Sequence, residues 1–362
     1  MGKFNDVFTS PAIATVYNEV AANRIPFLGE GFFPAKKKSG LSLKWLMQEK
    51  GLPITLKPSA FDTVAPIRSR EGFEIVDTEM AYFKEAYLVK EQDVQDYESL
   101  VEASPQAQEI LDRIYDDATN LVQSAHVVAE RMRMSLLANA NGHPSISISA
   151  ADGGSYTYNY DPNNKYSGNN YTALSGTSLW TDTDKSTPLK DVSDAQDAVE
   201  AKTGERPSIL LISKATMNLL KQNASIQSAI LAQNLTANIF VTDQRVKELF
   251  KTELGIDIIV YTKLYGDWDV TTSKWVAKKF YPDGMATLLP AGALGSTWYG
   301  VTPEEHEMGA LDVSIVDTGI AITTTVKADP VQRLIKASEI ILPSFERMYD
   351  TYMIKVAANV TY

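Results

Sequence analysis

Apolar or small residues fall at Ala107, Leu111, Ile114, Ala118, Leu121, Ala125, Val128, Met132 and Leu136, always three or four apart. That spacing predicts one amphipathic helix over 105–139. Ser104 and Pro105 supply a cap and a first-turn proline. Asn141-Gly142 and Pro144 supply the stop. At 1.5 Å per residue the helix is about 50 Å long, more than a small compact domain needs. Its single Ala-rich stripe lacks regular flanking charges, so packing on a sheet fits better than a coiled coil. His126 sits one residue off the stripe and reads as a surface or edge residue.

Period two replaces this rhythm elsewhere. Leu41, Leu43 and Trp45 alternate with polar positions, and so do Leu52, Ile54 and Leu56, predicting two strands with Leu46–Gly51 as the bend. Gly40, Gly51, Pro53, Pro58 and Pro66 exclude a long helix there. A two-stranded hairpin is marginal alone in water, so this one needs a surface to lie on. Beyond the helix, 145–150 and 155–160 read as strands, and the Asn-, Ser-, Thr- and Gly-rich stretch 161–190 as a long loop and domain boundary.

From Lys190 to Pro303 the pattern is α/β. Helices are expected from Ser193 to Lys202, Ser213 to Lys221, Ala224 to Leu231 and Asp243 to Leu254, and strands over Ser208–Ile212 and Ile256–Tyr261. Val276–Tyr281 and Met285–Leu289 flank Pro282-Asp283-Gly284, a hairpin signal. Ala310–Tyr362 is β-rich, with strands over 320–326 and 352–356 and breaks at Pro330 and Pro343. With no evident partner in the α/β block, this tail is expected to pair with the strands near the long helix. The α/β block is then an insertion in a discontinuous domain, and the fold class is α+β.

Charge changes the picture. The 362 residues carry 34 Lys+Arg against 45 Asp+Glu, a net charge of -11, with 44% hydrophobic residues as in an ordinary globular chain. Residues 36–70 hold eight cations (Lys36, Lys37, Lys38, Lys44, Lys50, Lys57, Arg68, Arg70) against Glu49 and Asp62, net +6. Residues 71–117, from Glu71 and Glu74 onward, hold fourteen acids against three bases, net -11. One reading is two solvated faces. The other is a basic, apolar arm of one copy lying on the acidic flank of another, with Lys36, Lys37, Lys38, Trp45, Lys50, Phe61, Arg68, Arg70, Glu71 and Glu74 as candidate contacts.

Chemistry is sparse. Cysteine is absent and histidines number three, which excludes disulfides and thiol chemistry and leaves little for metals. No phosphate loop, HExxH or nucleophile elbow occurs. Glu304-Glu305-His306-Glu307 follows Pro303 and precedes Gly309, and reads as a solvated loop; Asp182 and Asp184, and Asp267 and Asp269, lack a calcium-loop framework. No cofactor and no enzymatic role are expected. The acidic balance argues against nucleic-acid binding as the main task. No apolar segment nears the roughly 20 residues that span a bilayer. The opening residues lack the blocks of a signal peptide, and Asp6 stands where a myristoylation site wants Ser or Thr.

The order of parts, together with Phe27-Leu28-Gly29-Glu30-Gly31-Phe32-Phe33-Pro34, Leu56-Lys57-Pro58-Ser59-Ala60-Phe61-Asp62, Asp184-Lys185-Ser186-Thr187-Pro188, Phe280-Tyr281-Pro282-Asp283-Gly284 and Ile340-Ile341-Leu342-Pro343-Ser344-Phe345-Glu346, resembles the lambda-type major capsid protein family (protein E) of tailed bacteriophages. That resemblance implies the Hong Kong 97-type fold: an N-arm over 1–35, an extended loop over 36–75, a peripheral domain over 76–189 with the spine helix 105–139, an axial domain over 190–310, and peripheral return strands over 311–362. It also implies hexamers and pentamers tiling an icosahedral shell around double-stranded DNA, assembled in the bacterial cytoplasm with portal and scaffolding proteins. A decoration protein in place of a covalent cross-link is implied as well. The short arm implies a separate scaffold. Net negative charge would keep packaged DNA off the inner wall. An encapsulin-like compartment of the same fold is the alternative, distinguished by a cargo enzyme and the absence of phage genes nearby. A monomeric enzyme using His306 and a tail-tube protein are weaker alternatives; tube proteins are shorter and lack the long helix.

Overall fold

Val331–Ser344 is β-branched, aliphatic and small by turns, and forms a 14-residue strand, β16, at the centre of one sheet. The computed structural model describes residues 8–19, 26–47, 74–99, 105–149, 155–232, 241–269, 272, 274–328 and 331–362. Its contacts divide the chain into two units. One draws on the chain up to Lys44, on Asp77–Met132 and on Gly295–Ser344; the other draws on Trp45–Val76, Arg133–Leu294 and Phe345–Tyr362.

In the first unit, β4 (Ala81–Val89) pairs antiparallel along one edge of β16, over Arg333–Ile341. Along the other edge β16 pairs first with β15 (Ile320–Ala328), then with β13 (Ser296–Tyr299). β14 (Asp312–Val316) extends β15, and β1 (Ala35–Lys37) joins β13 in parallel. Pro343 lies inside β16, not at a break. Beyond Ile341, where β4 ends, no described strand needs a donor on that edge, so the missing N–H does no harm.

The long helix runs Pro105–Leu137, 33 residues. Its buried stripe, Ile114, Ala118, Leu121 and Val122, packs with Val316, Ile320, Ile322, Ile335 and Ala337 of the sheet. The Ser10–Glu19 helix adds Ile13, Ala14 and Tyr17 to this core. Asp312 anchors its start, accepting the Ser10 N–H and the Ser10 hydroxyl, each at 2.9 Å. Glu130, wholly buried on the long helix, accepts the Gly29 N–H at 3.0 Å at the short Gly29–Phe32 helix. His126 meets Asp317 at 2.9 Å, an edge position as expected.

The second unit holds a five-stranded sheet ordered β7 (Tyr171–Ala173), β17 (Tyr352–Lys355), β12 (Met285–Leu289), β8 (Ile209–Ser213) and β9 (Asp257–Tyr261). The central strands are apolar without alternation because both faces are covered. Leu210, Ile212, Ala286, Leu288 and Ile354 share one core with Val192, Val199, Met217, Leu220, Val246 and Phe250. These last come from helices Pro188–Thr203, Lys214–Gln222 and Asp243–Leu254, joined by Ala224–Ala232. On the opposite face the Thr287 hydroxyl donates to Leu137 O at 2.7 Å, satisfying a carbonyl that the end of the long helix leaves open.

Several sequence expectations change. The helix expected from Ser193 begins at Pro188, where proline fits the first turn and Thr187 precedes it. The Asp243–Leu254 helix forms as expected, capped by Thr242, whose side chain accepts the Arg245 N–H. Residues 161–190 are not a structureless boundary loop: they carry the Lys165–Asn169 helix and β7, and Tyr166 and Trp180 are buried. The Trp180 indole donates to Asp191 at 2.9 Å, and Tyr166 shares a 2.9 Å hydrogen bond with Thr351. The Pro282-Asp283-Gly284 turn makes no hairpin. β12 pairs instead with β8 and β17, while β11 (Lys274–Lys279) pairs with β10 (Leu264–Asp269). The tail also divides: β15 and β16 build the first unit's sheet, but β17 enters the α/β sheet. The strands expected after the long helix form as β5 (Ser145–Ser149) and β6 (Ser155–Asn159), which pair antiparallel with each other.

Thr287→Val keeps the shape and removes the hydroxyl shared by Leu137 O and Tyr281. We expect it to destabilise folding by about 1–3 kcal/mol, read from the midpoint of urea unfolding at unchanged slope.

Candidate intersubunit surface

The basic residues begin on β1, held parallel to β13 through Ala35↔Thr297, Lys36↔Trp298 and Lys37↔Tyr299. All three β1 residues are exposed. The Lys36 ammonium sits 5.3 Å from the centre of the Trp298 ring. Lys37 Nζ lies 2.6 Å from Glu305, and Lys38 Nζ donates to Ser42 O at 2.8 Å. The three lysines thus find first partners within their own chain.

β2 (Ser42–Met47) and β3 (Glu74–Glu79) then pair as the described base of the basic arm. Alternation sorts their side chains. Leu43 and Trp45 turn inward, while Ser42 and Lys44 reach Asp77 at 3.1 and 2.7 Å. The hydrogen bond from Lys44 holds the Asp77 carboxyl below its usual range. Trp45 is a correction to its expected place at a contact between copies: it is only 6% exposed, its ring 5.4 Å from Tyr160. Lys50, Phe61, Arg68, Arg70 and Glu71, with the strand expected over Leu52–Leu56, lie outside the described residues. Glu74 opens β3.

The acidic flank follows on β4, on the Glu91–Ser99 helix and on the first half of the long helix. Glu91 and Asp93 sit in a first helical turn, where the helix dipole favours anions. Glu109, Asp112 and Asp116 are exposed. Burial pushes the Asp117 carboxyl up; Arg113 opposes this, while Asp116 and Asp93 add to it.

The Glu304 cluster is more than a solvated loop. Residues Pro303–His306 form one helical turn capped by Thr302. Glu304 is 6% exposed and accepts from Tyr82 at 2.7 Å, Lys336 at 2.5 Å and Ser338 at 3.0 Å. Burial alone would raise its pKa, but the bonds from Lys336, Tyr82 and Ser338 outweigh burial and hold it at about 2. This carboxylate ties the turn to β4 and β16. The sequence signal was faint: Lys336, Ser338 and Glu339 are three of several polar residues in this strand, and nothing local marks which of them meet Glu304. His306 is exposed beside it. Among the described residues no group of three His, Asp or Glu side chains could hold a metal, and no helix is long and apolar enough to cross a membrane.

Glu304→Gln should destabilise the chain by about 2 kcal/mol at neutral pH, since Lys336 loses its counter-charge. The sign with pH follows from the lowered pKa. The wild-type contribution is complete above the ordinary carboxylate pKa of about 4.3 and fades as pH falls towards about 2. Unfolding curves of the two proteins should therefore converge on acidification.

A family model described as phage major capsid protein E matches residues 10–356. Solved structures share the fold along nearly the whole chain. A capsid protein of prophage from E. coli CFT073 aligns with TM-score 0.60 at 14% identity, over 97% of this chain and 99% of that one. A phage-related protein from Bordetella bronchiseptica RB50 aligns with TM-score 0.57 at 14% identity, over 96% and 97%. The cyanophage A-1(L) capsid protein aligns with TM-score 0.53 at 8% identity, over 92% of each chain. No curated protein matches the chain.

Proposed function

This chain belongs to the phage major capsid protein E family, and from that premise we propose how its parts serve a shell. It is a structural protein of the phage virion with the Hong Kong 97-type fold, and it acts as many copies of itself. In the proposed arrangement the copies form hexamers and pentamers that close an icosahedral shell around double-stranded DNA. Residues 1–35 serve as the N-arm and 36–75 as the extended loop; the unit built on β16, from 77–132 and 295–344, serves as the body of the peripheral domain, and the α/β unit of 133–294 and 345–362 contains the axial domain. Portal and scaffolding proteins, with a decoration protein, complete the head.

One observation carries the pairing of copies: adjoining segments, 36–70 and 71–117, hold net charges of +6 and -11. Opposite potentials fix register and partner choice. Lys37 and Lys44 are already engaged at home, so the arm's reach falls to Lys50, Arg68 and Arg70, with Phe61 as apolar contact. Glu71 and Glu74 begin the opposing sign. Many modest contacts per copy then hold a shell by multivalency. An encapsulin-like compartment would need the same fold; the phage family match favours the capsid reading.

Negative-stain microscopy of the expressed chain with its scaffold should show closed shells. Arg68→Glu with Arg70→Glu should abolish them while circular dichroism and the melting temperature stay as in wild type. Normal shells from that double variant would refute the pairing. Denaturing gels of assembled particles should show a monomer band alone, as expected for a shell without covalent cross-links.

A further inference from the structure

The β10–β11 ribbon carries an apolar face that nothing described in this chain covers. Its register sets Leu264 opposite Lys279, Gly266 opposite Ala277 and Trp268 opposite Trp275. Opposed residues share a face, so both indoles, Leu264, Gly266 and Ala277 point one way. Trp268 is 47% exposed, Trp275 71% and Leu264 56%. The two indoles meet edge to face at 5.3 Å, and Trp275 lies over Gly266, where a Cβ would come within 3.6 Å of its ring. The other face is held: Tyr265 stacks 4.8 Å from Phe280, and Lys278 bonds Asp267 at 2.5 Å. One face is anchored and the other is a preset aromatic pad.

We propose that this tryptophan face is a contact between copies of the chain, covered in the shell by a neighbouring copy. The inference rests on the assembly reading above. Two arguments choose the occupant. The first is area: an indole buries roughly 150–250 Å², so the open parts of Trp268 and Trp275 come to about 200–300 Å². That falls short of the ~800 Å² per partner of a free-standing complex. It suits a supplementary contact between copies already tethered elsewhere. The second is charge. Residues 264–279 hold two acids and three lysines, and the third, Lys279, bonds Asp283. A nearly neutral ribbon offers no field to draw nucleic acid or a strongly charged partner. An apolar pad without such a field fits a second copy, the macromolecule that assembly guarantees is near.

Hydroxyl-radical footprinting read by mass spectrometry, on wild-type shells and on unassembled chain, tests this directly. Trp268 and Trp275 should oxidise several-fold more slowly in shells, with buried Trp180 slow in both. Trp268→Ala with Trp275→Ala should raise the concentration for half-assembly about tenfold. Should that variant fold poorly, Trp275→Glu, at the more open ring, serves the same end. Shells whose indoles stay as reactive as in the free chain overturn the inference alone. So do indoles that close only when a second phage protein is added. A wild-type chain that forms no shells at all would take the assembly reading down with it.

Discussion

One strand constrains the first unit. β16 has backbone donors and acceptors on two edges for up to fourteen residues, and a buried, unpaired group costs about 1–3 kcal/mol. The chain meets that demand with partners drawn from far apart: β4 before the long helix on one edge, and β15 then β13 on the other. Ser338 and Lys336 of the same strand hold Glu304, and Ile335 and Ala337 give the long helix its bed. Helix, turn and N-terminal helix take their positions from this ladder.

The second unit solves a different problem. Its sheet mixes parallel and antiparallel neighbours, and its central strands are buried on both faces. Such strands cannot carry polar side chains unless each is satisfied. Thr287 is satisfied by Leu137 and Tyr281. The helices pack through alternate strand residues, so their spacing follows from the pleat.

Much of this was legible in the residues. The long helix shows through its nine-position stripe, and Gly204 and Gly255 mark helix ends because each adopts a left-handed backbone. Strand partners were less legible, because the period of a strand says nothing about its neighbour. Pro282-Asp283-Gly284 looks like a hairpin turn, yet β12 is claimed by the buried sheet through β8 and β17, and β11 pairs with the preceding β10 instead. Residues 161–190 look like a loop because their anchors, Tyr166 and Trp180, are single large side chains in a polar setting. The surface is read similarly. Opposed charges are visible in composition, whereas Trp45 joins the interior through Tyr160, a contact no local pattern announces. The Trp268–Trp275 pad needed the register before two distant-looking residues became one face.

The parallel pairing of β1 with β13 joins residues 35–37 to 297–299. Together with the β4–β16 ladder, it means that the first unit's sheet cannot close until residue 344 has been synthesised. A ribosome making this chain therefore carries an unfinished sheet until β16 has emerged, and pairings of such long sequence separation form slowly. Emergence of β16 then sets the earliest moment at which this sheet can close.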